Sequence, residues 1–509
     1  MKSKLLTIVI LVGAAAASPA AALISNDDTA PIYIVFAGPY SSSPSSAFGH
    51  LFIVIPGLEG ESLPLWDVVS FTAETDNAGP LKYMTVGIAG GFWGHYEKLK
   101  FHEKTRDYQL LEDRDLWLVE LRLSTEQRTS LDEAIEETSG EWSPYTFFSR
   151  NCAFYLQLLL SQATGVLPPP QGTVSPTEVF DLVLNSSLAT ETYFRPSASE
   201  YLVEMANHIE SRVVDRLRES EWTSVAADTT WLASLDPKEQ SFVQEFFAWR
   251  SLDHQDPLSE ETRRGLGQLR VFNATNRNIT TDRANTPGIP IPAPTFPGYT
   301  RIGFFGSHSA LSQNRMGIRI RPAMRDGTDP IIGQRPINNL ELLTAKISTP
   351  TDSLKLRVDE LILYSQRSLN PTNWIKKKTS WMLEVQGRQG GIFSLEELHL
   401  ELRRGTGRTF QVLPKLFTYG LITLGGVGPF GRTPTMALGA EGGVSWFPSS
   451  RVRAGLRWTR EVDIFERSRI HQRMRGWFRY DLSRVFGLTL TAENYGNGNG
   501  FDLSLDWYR

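Results

Sequence analysis

The run Asn151-Cys152-Ala153-Phe154-Tyr155-Leu156-Gln157-Leu158-Leu159-Leu160 carries the only cysteine in 509 residues and sets it at the head of an apolar helical stretch. Asn151 is a good helix cap, because its side-chain oxygen accepts from the first free backbone N–H groups. A thiol placed there meets those N–H groups and the helix dipole, which predicts a lowered thiol pKa and a nucleophilic Cys152. The competing reading of a lone cysteine is a small buried hydrophobe. The residues around it decide between the two.

Working back along the chain, Ile32-Tyr33-Ile34-Val35-Phe36 and Phe48-Gly49-His50-Leu51-Phe52-Ile53-Val54-Ile55 are apolar runs bounded by turn residues, and both read as strands. His50 therefore stands at the start of a strand, either as a hydrogen-bonded structural residue or as the base for Cys152. In the next strand, Leu65-Trp66-Asp67-Val68-Val69-Ser70-Phe71, the polar positions Asp67 and Ser70 are candidates to orient an imidazole. Gly87-Ile88-Ala89-Gly90-Gly91-Phe92-Trp93-Gly94-His95-Tyr96 is glycine-rich, so its backbone is expected to pass close to another strand or to a ligand. It lacks the Lys-Ser/Thr ending of a phosphate loop. Trp117 to Leu123 alternates as a strand, and Ser124 with Gln127 opens a helix to Thr138 by capping-box logic. Strands and helices mixed in this order predict an α+β domain.

The N-terminus reads as a secretory signal over residues 1–22: Lys2 and Lys4, an apolar run from Leu5 to Gly13, and small residues Ala20-Ala21-Ala22 before a mature start near Leu23. No cysteine stands directly after that site, and a single thiol excludes an internal disulfide. A free thiol kept in an oxidising compartment suggests that the sulfur has a task. Export also excludes nucleic acid as a partner. Charge is uneven, with 22 Lys and Arg against 38 Asp and Glu in residues 1–300 (net −16) and 30 against 18 in residues 301–509 (net +12). The basic half is expected to meet anionic lipid headgroups or the acidic half of its own chain.

Residues 176–285 read as a helical extension: Ser175-Pro176-Thr177-Glu178 is a helix start, and further helices fit Glu200 to Arg218 and Pro237 to Ser251. The proline-rich segment 286–298 is a stiff linker and the clearest domain boundary. Beyond it, over 299–509, the period changes to two. Val452-Arg453-Ala454-Gly455-Leu456-Arg457-Trp458 and the final Phe501-Asp502-Leu503-Ser504-Leu505-Asp506-Trp507 are apolar/polar ladders. About twelve such segments predict an antiparallel outer-membrane β-barrel, with apolar side chains on lipid and polar ones in the lumen. Trp446, Trp458, Trp477, Trp507 and Tyr508 near strand ends support the barrel over a soluble sandwich. Arg319, Arg321, Arg453 and Arg457 fall on the polar face, which predicts a basic lumen whose arginines pair with neighbouring Asp and Glu, the alternatives being to hold phosphate headgroups or to dock the acidic N-terminal domain.

Phe48-Gly49-His50, the Gly90 to Gly94 segment with Tyr96 and Lys98, Glu112-Asp113-Arg114-Asp115-Leu116-Trp117, and Tyr145 followed by Asn151-Cys152 occur in an order that resembles the periplasmic domain of Lnb-type lipoprotein N-acyltransferases, over roughly residues 30–190, with the domain itself bounded at 23–175. The resemblance implies a permuted papain-like, NlpC-like fold in which Cys152 is the nucleophile and His50 the base. His95 and His102 are weaker alternatives for the base, and Asp67 or Asn151 is the candidate third residue. It places Gly90, Gly91, Trp93, Tyr96, Lys98, Arg114 and Tyr145 on the substrate side, and calls for no cofactor and no metal. Where those enzymes carry transmembrane helices after this domain, this chain carries the barrel pattern. The expected activity is cysteine-dependent acyl transfer or acyl hydrolysis at the outer membrane. A phospholipid would be the donor, and a lipoprotein N-terminus or water the acceptor. The alternatives are an NlpC-like cell-wall peptidase or amidase, and a non-enzymatic barrel that transports or tethers.

Overall fold

The computed structural model describes residues 30–40, 45–58, 61–75, 80–252, 259, 262, 298, 300–309, 312–329, 338–389, 398–429, 435–465, 470–494 and 498–509. The signal segment 1–22 and nearly all of the linker 286–298 lie outside the described residues.

The N-terminal region is built on seven strands: β1 (Ile32–Ala37), β2 (His50–Ile55), β3 (Asp67–Glu74), β4 (Phe92–Lys100), β5 (Leu116–Leu121), β6 (Ser143–Tyr145) and β7 (Ala189–Arg195). They form one antiparallel sheet in the order β6-β4-β3-β2-β1-β5-β7. Its helices are α1 (Pro80–Ala89), α2 (Phe101–Thr105), α3 (Thr125–Thr138), α4 (Cys152–Thr164) and α5 (Pro176–Leu184). The sheet is apolar on both faces because both are covered. Ile34, Phe36, Leu51, Ile53 and Val69 pack with Ala153, Leu156 and Leu160 of α4, while Val35, Phe52, Val54 and Val68 pack with Phe101 of α2 on the other side. The capping box at α3 forms as expected, Ser124 Oγ accepting from the Gln127 N–H.

The extension contains α6 (Ala198–Ala206), α7 (Ser211–Glu219), α8 (Trp222–Ala227), α9 (Thr229–Ser234) and α10 (Pro237–Leu252). Two expectations need correction here. The helix expected over Glu200 to Arg218 is two, α6 and α7, separated at residues 207–210. The span expected to be helical also holds β7, an edge strand that pairs with β5 and completes the sheet. Its alternation Thr190-Glu191-Thr192-Tyr193 has no apolar face, so the sequence pattern gives it no weight.

The C-terminal strands are β8 (Arg301–Ser309), β9 (Ser312–Arg321), β10 (Ala323–Arg325), β11 (Asn338–Pro350), β12 (Arg357–Ser368), β13 (Ser380–Gln389), β14 (Leu398–Leu413), β15 (Leu416–Pro429), β16 (Thr435–Trp446), β17 (Val452–Asp463), β18 (Ile470–Asp481), β19 (Phe486–Asn494) and β20 (Asn499–Tyr508). β8 pairs antiparallel with β9, and from β10 onward each strand pairs antiparallel with the next; β20 pairs with β8, and β9 with β11, so the sheet closes. β10 prolongs β9 beyond Pro322, and both run along β11, which makes a closed barrel of 12 strands. Leu402, Ile422, Leu438, Leu456, Leu490 and Leu503 are exposed on the outside. On β20, Leu503 is 56% exposed and Asp506 0%. An apolar exterior around a polar interior is the arrangement of a lipid-facing barrel.

The lumen is not simply basic. Arg367 pairs with Glu384 and Glu441, Arg403 with Glu384, Glu441 and Glu461, and Arg301 with Asp326, Asp329 and Asp506. The expected pairing of the lumen arginines with Asp and Glu is what forms, because Glu and Asp share the inward positions with them. After β10 the turn Asp326–Asp329 folds inward, with Asp329 held by Arg301, Arg321, Arg453 and the Tyr508 hydroxyl. A cavity of about 70 Å³ lies among Arg319, Arg367, Arg388, Glu341 and Glu384, room for only about two waters.

The two regions are in contact. The β12–β13 turn inserts Ile375 into the core of the helical extension beside Phe242, Phe246 and Phe247, with Trp374 stacked on Phe246 at 5.9 Å. Lys378 in the same turn pairs with Asp113.

Candidate active site

Local sequence sets the thiol at the α4 start. Asn151 Oδ1 accepts from the N–H groups of Ala153 (3.0 Å) and Phe154 (3.1 Å), and its amide nitrogen donates to the carbonyls of Phe147 (2.9 Å) and Val174 (2.7 Å). Every polar atom of Asn151 is thus engaged in capping and in fastening the preceding loop. Its expected place as third catalytic residue is corrected to that of a cap. Cys152 is buried among Phe71, Phe92, Tyr145, Phe147 and Tyr155.

His50 is delivered by a bend that only glycine permits. Gly49 has φ +86°, and a Cβ there would stand 2.5 Å from the Phe36 ring and 2.9 Å from the Ala37 carbonyl oxygen. His50 Nε2 lies 2.8 Å from Ser70 Oγ, which leaves Nδ1 as the free ring nitrogen. The Leu51 N–H, one residue along β2, hydrogen-bonds the Cys152 sulfur, which brings the thiol to the strand residue next to His50. The Tyr108 ring faces the imidazole at 5.8 Å, and the Arg114 guanidinium lies over Tyr108 at 4.5 Å. Arg114 is buried and donates to the carbonyls of Gly38 (2.6 Å) and Ala37 (2.9 Å) and to Glu112 (2.7 Å), locking the end of β1 beside His50.

Burial dominates the electrostatics. It pushes the Cys152 thiol up to about 11, and the N–H groups of Leu51, Ala153 and Cys152 with Arg114 recover only part of that. The sequence expectation of a lowered thiol pKa is corrected: the helix N-terminus acts in the expected direction, but desolvation of a fully enclosed sulfur outweighs it. Burial, with Lys104 and Arg114 nearby, holds the His50 imidazole well below its ordinary value. Both partners are therefore neutral at rest.

The other candidates divide. Asp67 lies at the far end of β3, opposite Ile55 and Lys100, and pairs with Lys100 (2.8 Å) and Lys98 (3.6 Å). It does not orient His50; Ser70 on the same strand does, because two strands in register bring Ser70 and not Asp67 to the start of β2. Tyr145 packs with Cys152, and Tyr96 donates to the Tyr155 carbonyl at 2.8 Å beside the same cluster. Gly90 (φ +96°) and Gly91 (φ +130°) turn the chain from α1 into β4. The close approaches of that segment are to protein: a Cβ on Gly87 would meet the Phe147 ring, and one on Gly94 the Phe71 ring. Trp93 is 53% exposed and Lys98 points to Asp67, so the structure does not bring either to the thiol. His102 is tied to the Pro64 carbonyl at 3.0 Å. His95 sits against Trp142 at 4.5 Å and opposite Thr72, on the sheet face that carries Ser70. Thr72 Oγ1 and His95 Nδ1 are both buried without a hydrogen-bond partner. Tyr108 was not legible in the sequence, since it stands in a π-helical turn, Arg106–Leu111, with no periodic signal. Among the described residues, no group of three or more His, Cys, Asp or Glu is placed to hold a metal.

Residues 21–185 match the family model described as the Lnb N-terminal periplasmic domain. This region is an Lnb periplasmic domain. Residues 298–508 match a domain of unknown function (DUF7840). No curated protein matches the chain. Among solved structures the barrel region is similar to the KdgM porin (8% identity, 41% of this chain, 99% of that chain, TM-score 0.27) and the NanC porin (5%, 41%, 100%, 0.27). It is also similar to the outer membrane channel DcaP of Acinetobacter baumannii (8%, 41%, 95%, 0.21). No helix among the described residues is long and apolar enough to cross a membrane. With an Lnb periplasmic domain on a lipid-facing closed barrel, the protein is an outer-membrane protein whose N-terminal domain is periplasmic.

Proposed function

We propose that the protein is a cysteine acyltransferase, with acyl hydrolysis as its reaction with water, that takes acyl chains from phospholipids and passes them to an amine such as a lipoprotein N-terminus. The observation that carries this reading is a buried Cys152 at a helix start whose sulfur accepts from the Leu51 N–H, one strand residue away from a His50 whose Nε2 is held by Ser70. Cys152 sulfur attacks the ester carbonyl carbon while its proton moves to His50 Nδ1; a separated thiolate and imidazolium would be costly in so apolar a site. The Leu51 and Cys152 N–H groups, both directed at the sulfur, flank the oxyanion that forms on the attacked carbonyl. The C–O bond then breaks, His50 returns the proton to the leaving lysophospholipid oxygen, and a thioester remains. An amine attacks that thioester, gives up its proton through His50 to the departing sulfur, and leaves as an amide; water in the same position gives the free acid. Raising the protein on a barrel keeps this site beside its lipid donors.

The test is intact mass after incubation with defined phospholipids. One added acyl mass, removable by hydroxylamine and absent in Cys152→Ala, is expected. No adduct with any phospholipid, together with cleavage of peptidoglycan fragments, would replace this reading with the cell-wall peptidase.

A further inference from the structure

Phe148 belongs to two clusters at once. On one side it packs against the group formed by Cys152, Phe71, Tyr145 and Tyr155. On the other it packs with Phe48 against Leu340, Leu342 and Tyr364 of β11 and β12, the Phe48 and Phe148 rings meeting edge to face at 5.6 Å. Phe48 stands two residues before His50, and Phe148 four before Cys152, so both approaches to the site end on the barrel.

The part of the barrel they touch is its outside wall. Glu341 points into the lumen, where it pairs with Arg319 and lines the internal cavity, so its neighbours Leu340 and Leu342 face outward. Leu342 is in register with Tyr364, and Leu340 with Gln366, which places all four on one outer patch. Leu340 and Leu342 are each only 4% exposed, covered by the Lnb domain. This patch lies near the start of β11, at the barrel end that also carries Arg301, Tyr508 and the periplasmic domain. Immediately beyond it, at the bulge where Leu343 adopts φ +52°, Leu343 and Leu363 are uncovered, 52% and 42% exposed, on the surface that meets lipid.

We propose that this seam is where the periplasmic leaflet delivers a phospholipid acyl chain to Cys152: from Leu343 and Leu363, over Leu342 and Tyr364, and between Phe48 and Phe148. The surface is apolar at every step, and the partner it fits is the acyl region of the membrane around the barrel. The inference rests on the acyl-transfer reading of the same site. The Phe48–Phe148 contact closes the passage at rest, consistent with the enclosed thiol, and an entering chain replaces ring contacts with chain contacts of the same kind.

The experiment uses the full-length protein in phospholipid vesicles, with Leu340→Asp/Leu342→Asp compared with the native chain. Two acyl donors are used: vesicle phospholipid, and a water-soluble short-chain ester that reaches Cys152 without the membrane. We expect acylation from vesicle lipid to slow at least about tenfold while the short-chain ester reacts within about twofold of the native rate. Native-rate acylation of the variant by vesicle lipid would overturn the seam. A native protein that reacts with neither donor would overturn the acyl reading itself. Should the double variant not fold, a phospholipid with a photoactivatable acyl chain, applied to the native protein, decides the matter: cross-links in peptides holding Phe48, Phe148 or residues 338–343 support the seam, and their confinement to other barrel strands sinks it.

Discussion

The Lnb domain and the barrel use the same side chains in opposite ways. In the domain, Leu, Ile and Val fill the interior, and among its enclosed polar groups His50, Ser70, Arg114 and Asn151 each hold something at or beside one site. In the barrel, Leu faces outward and the interior is crowded with Arg, Glu and Asp that satisfy one another. The difference teaches how to read a buried charge here. One polar group in an apolar core is expensive unless it has a task or a partner, whereas a barrel lumen is polar by construction and its charges serve mutual pairing.

Four measurements break or sharpen that contrast. The largest effect belongs to His50→Ala, which removes the base of the proposed reaction: Cys152 acylation should slow by about 10²–10⁴ with the fold intact. Acylation at an unchanged rate would reduce His50 to a packing residue. In the barrel the corresponding loss is of stability. Glu441→Ala leaves Arg367, Arg403 and Arg457 without their shared carboxylate, and about 3–5 kcal/mol should be lost in denaturant unfolding of the barrel, with acylation chemistry unaffected once the protein is folded. Ser70→Ala comes next, at about tenfold slower acylation. Because the serine acts through His50, Ser70→Thr should restore much of the rate, a rescue that a purely structural role does not predict.

The smallest effect is on pH. Below pH 6.5 an unfolded chain takes up a proton on His50 that the folded domain, with its depressed imidazole pKa, refuses. His50 therefore contributes stability fully above pH 6.5, and this is lost as pH falls, by up to about 1.4 kcal/mol per pH unit. Cys152 acts at the other end. Its pKa is raised from 9.0 to about 11, so its contribution is complete below pH 9.0 and declines as pH rises towards 11. Denaturant midpoints across pH should show both limbs, with His50→Gln flattening the acid one and Cys152→Ala the alkaline one.

How much of this was legible in the sequence depended on range. Local patterns were readable: the β20 ladder, the α3 capping box, and the cap and helix at Asn151. These depend on neighbours within a few positions. What required register between strands was not. Asp67 and Ser70 are equivalent polar positions on one strand until β2 is laid beside β3, and only then does Ser70 meet His50 while Asp67 meets Lys100. The direction of the Cys152 shift was misread for a related reason, since the helix start is visible locally but the five aromatic neighbours that enclose the sulfur come from β3, β4, β6 and the chain around it. The lumen of the barrel was half read: the arginines were assigned to the right face, but their partners stand on other strands.

The motif Glu112-Asp113-Arg114-Asp115 looked like substrate chemistry and is in large part a junction. Arg114 ties down the end of β1, Asp115 accepts from the Ser197 N–H, and Asp113 holds both Ser199 at the head of α6 and Lys378 of the barrel turn. That same turn supplies Ile375 to the core of Phe242, Phe246 and Phe247. A chain still in transit, with its barrel not yet formed, therefore has a periplasmic half whose helical core lacks one wall and whose Asp113 lacks one cation. The core of the periplasmic half is therefore complete only once the β12–β13 turn of the barrel is in place, which ties the finish of one region to the assembly of the other.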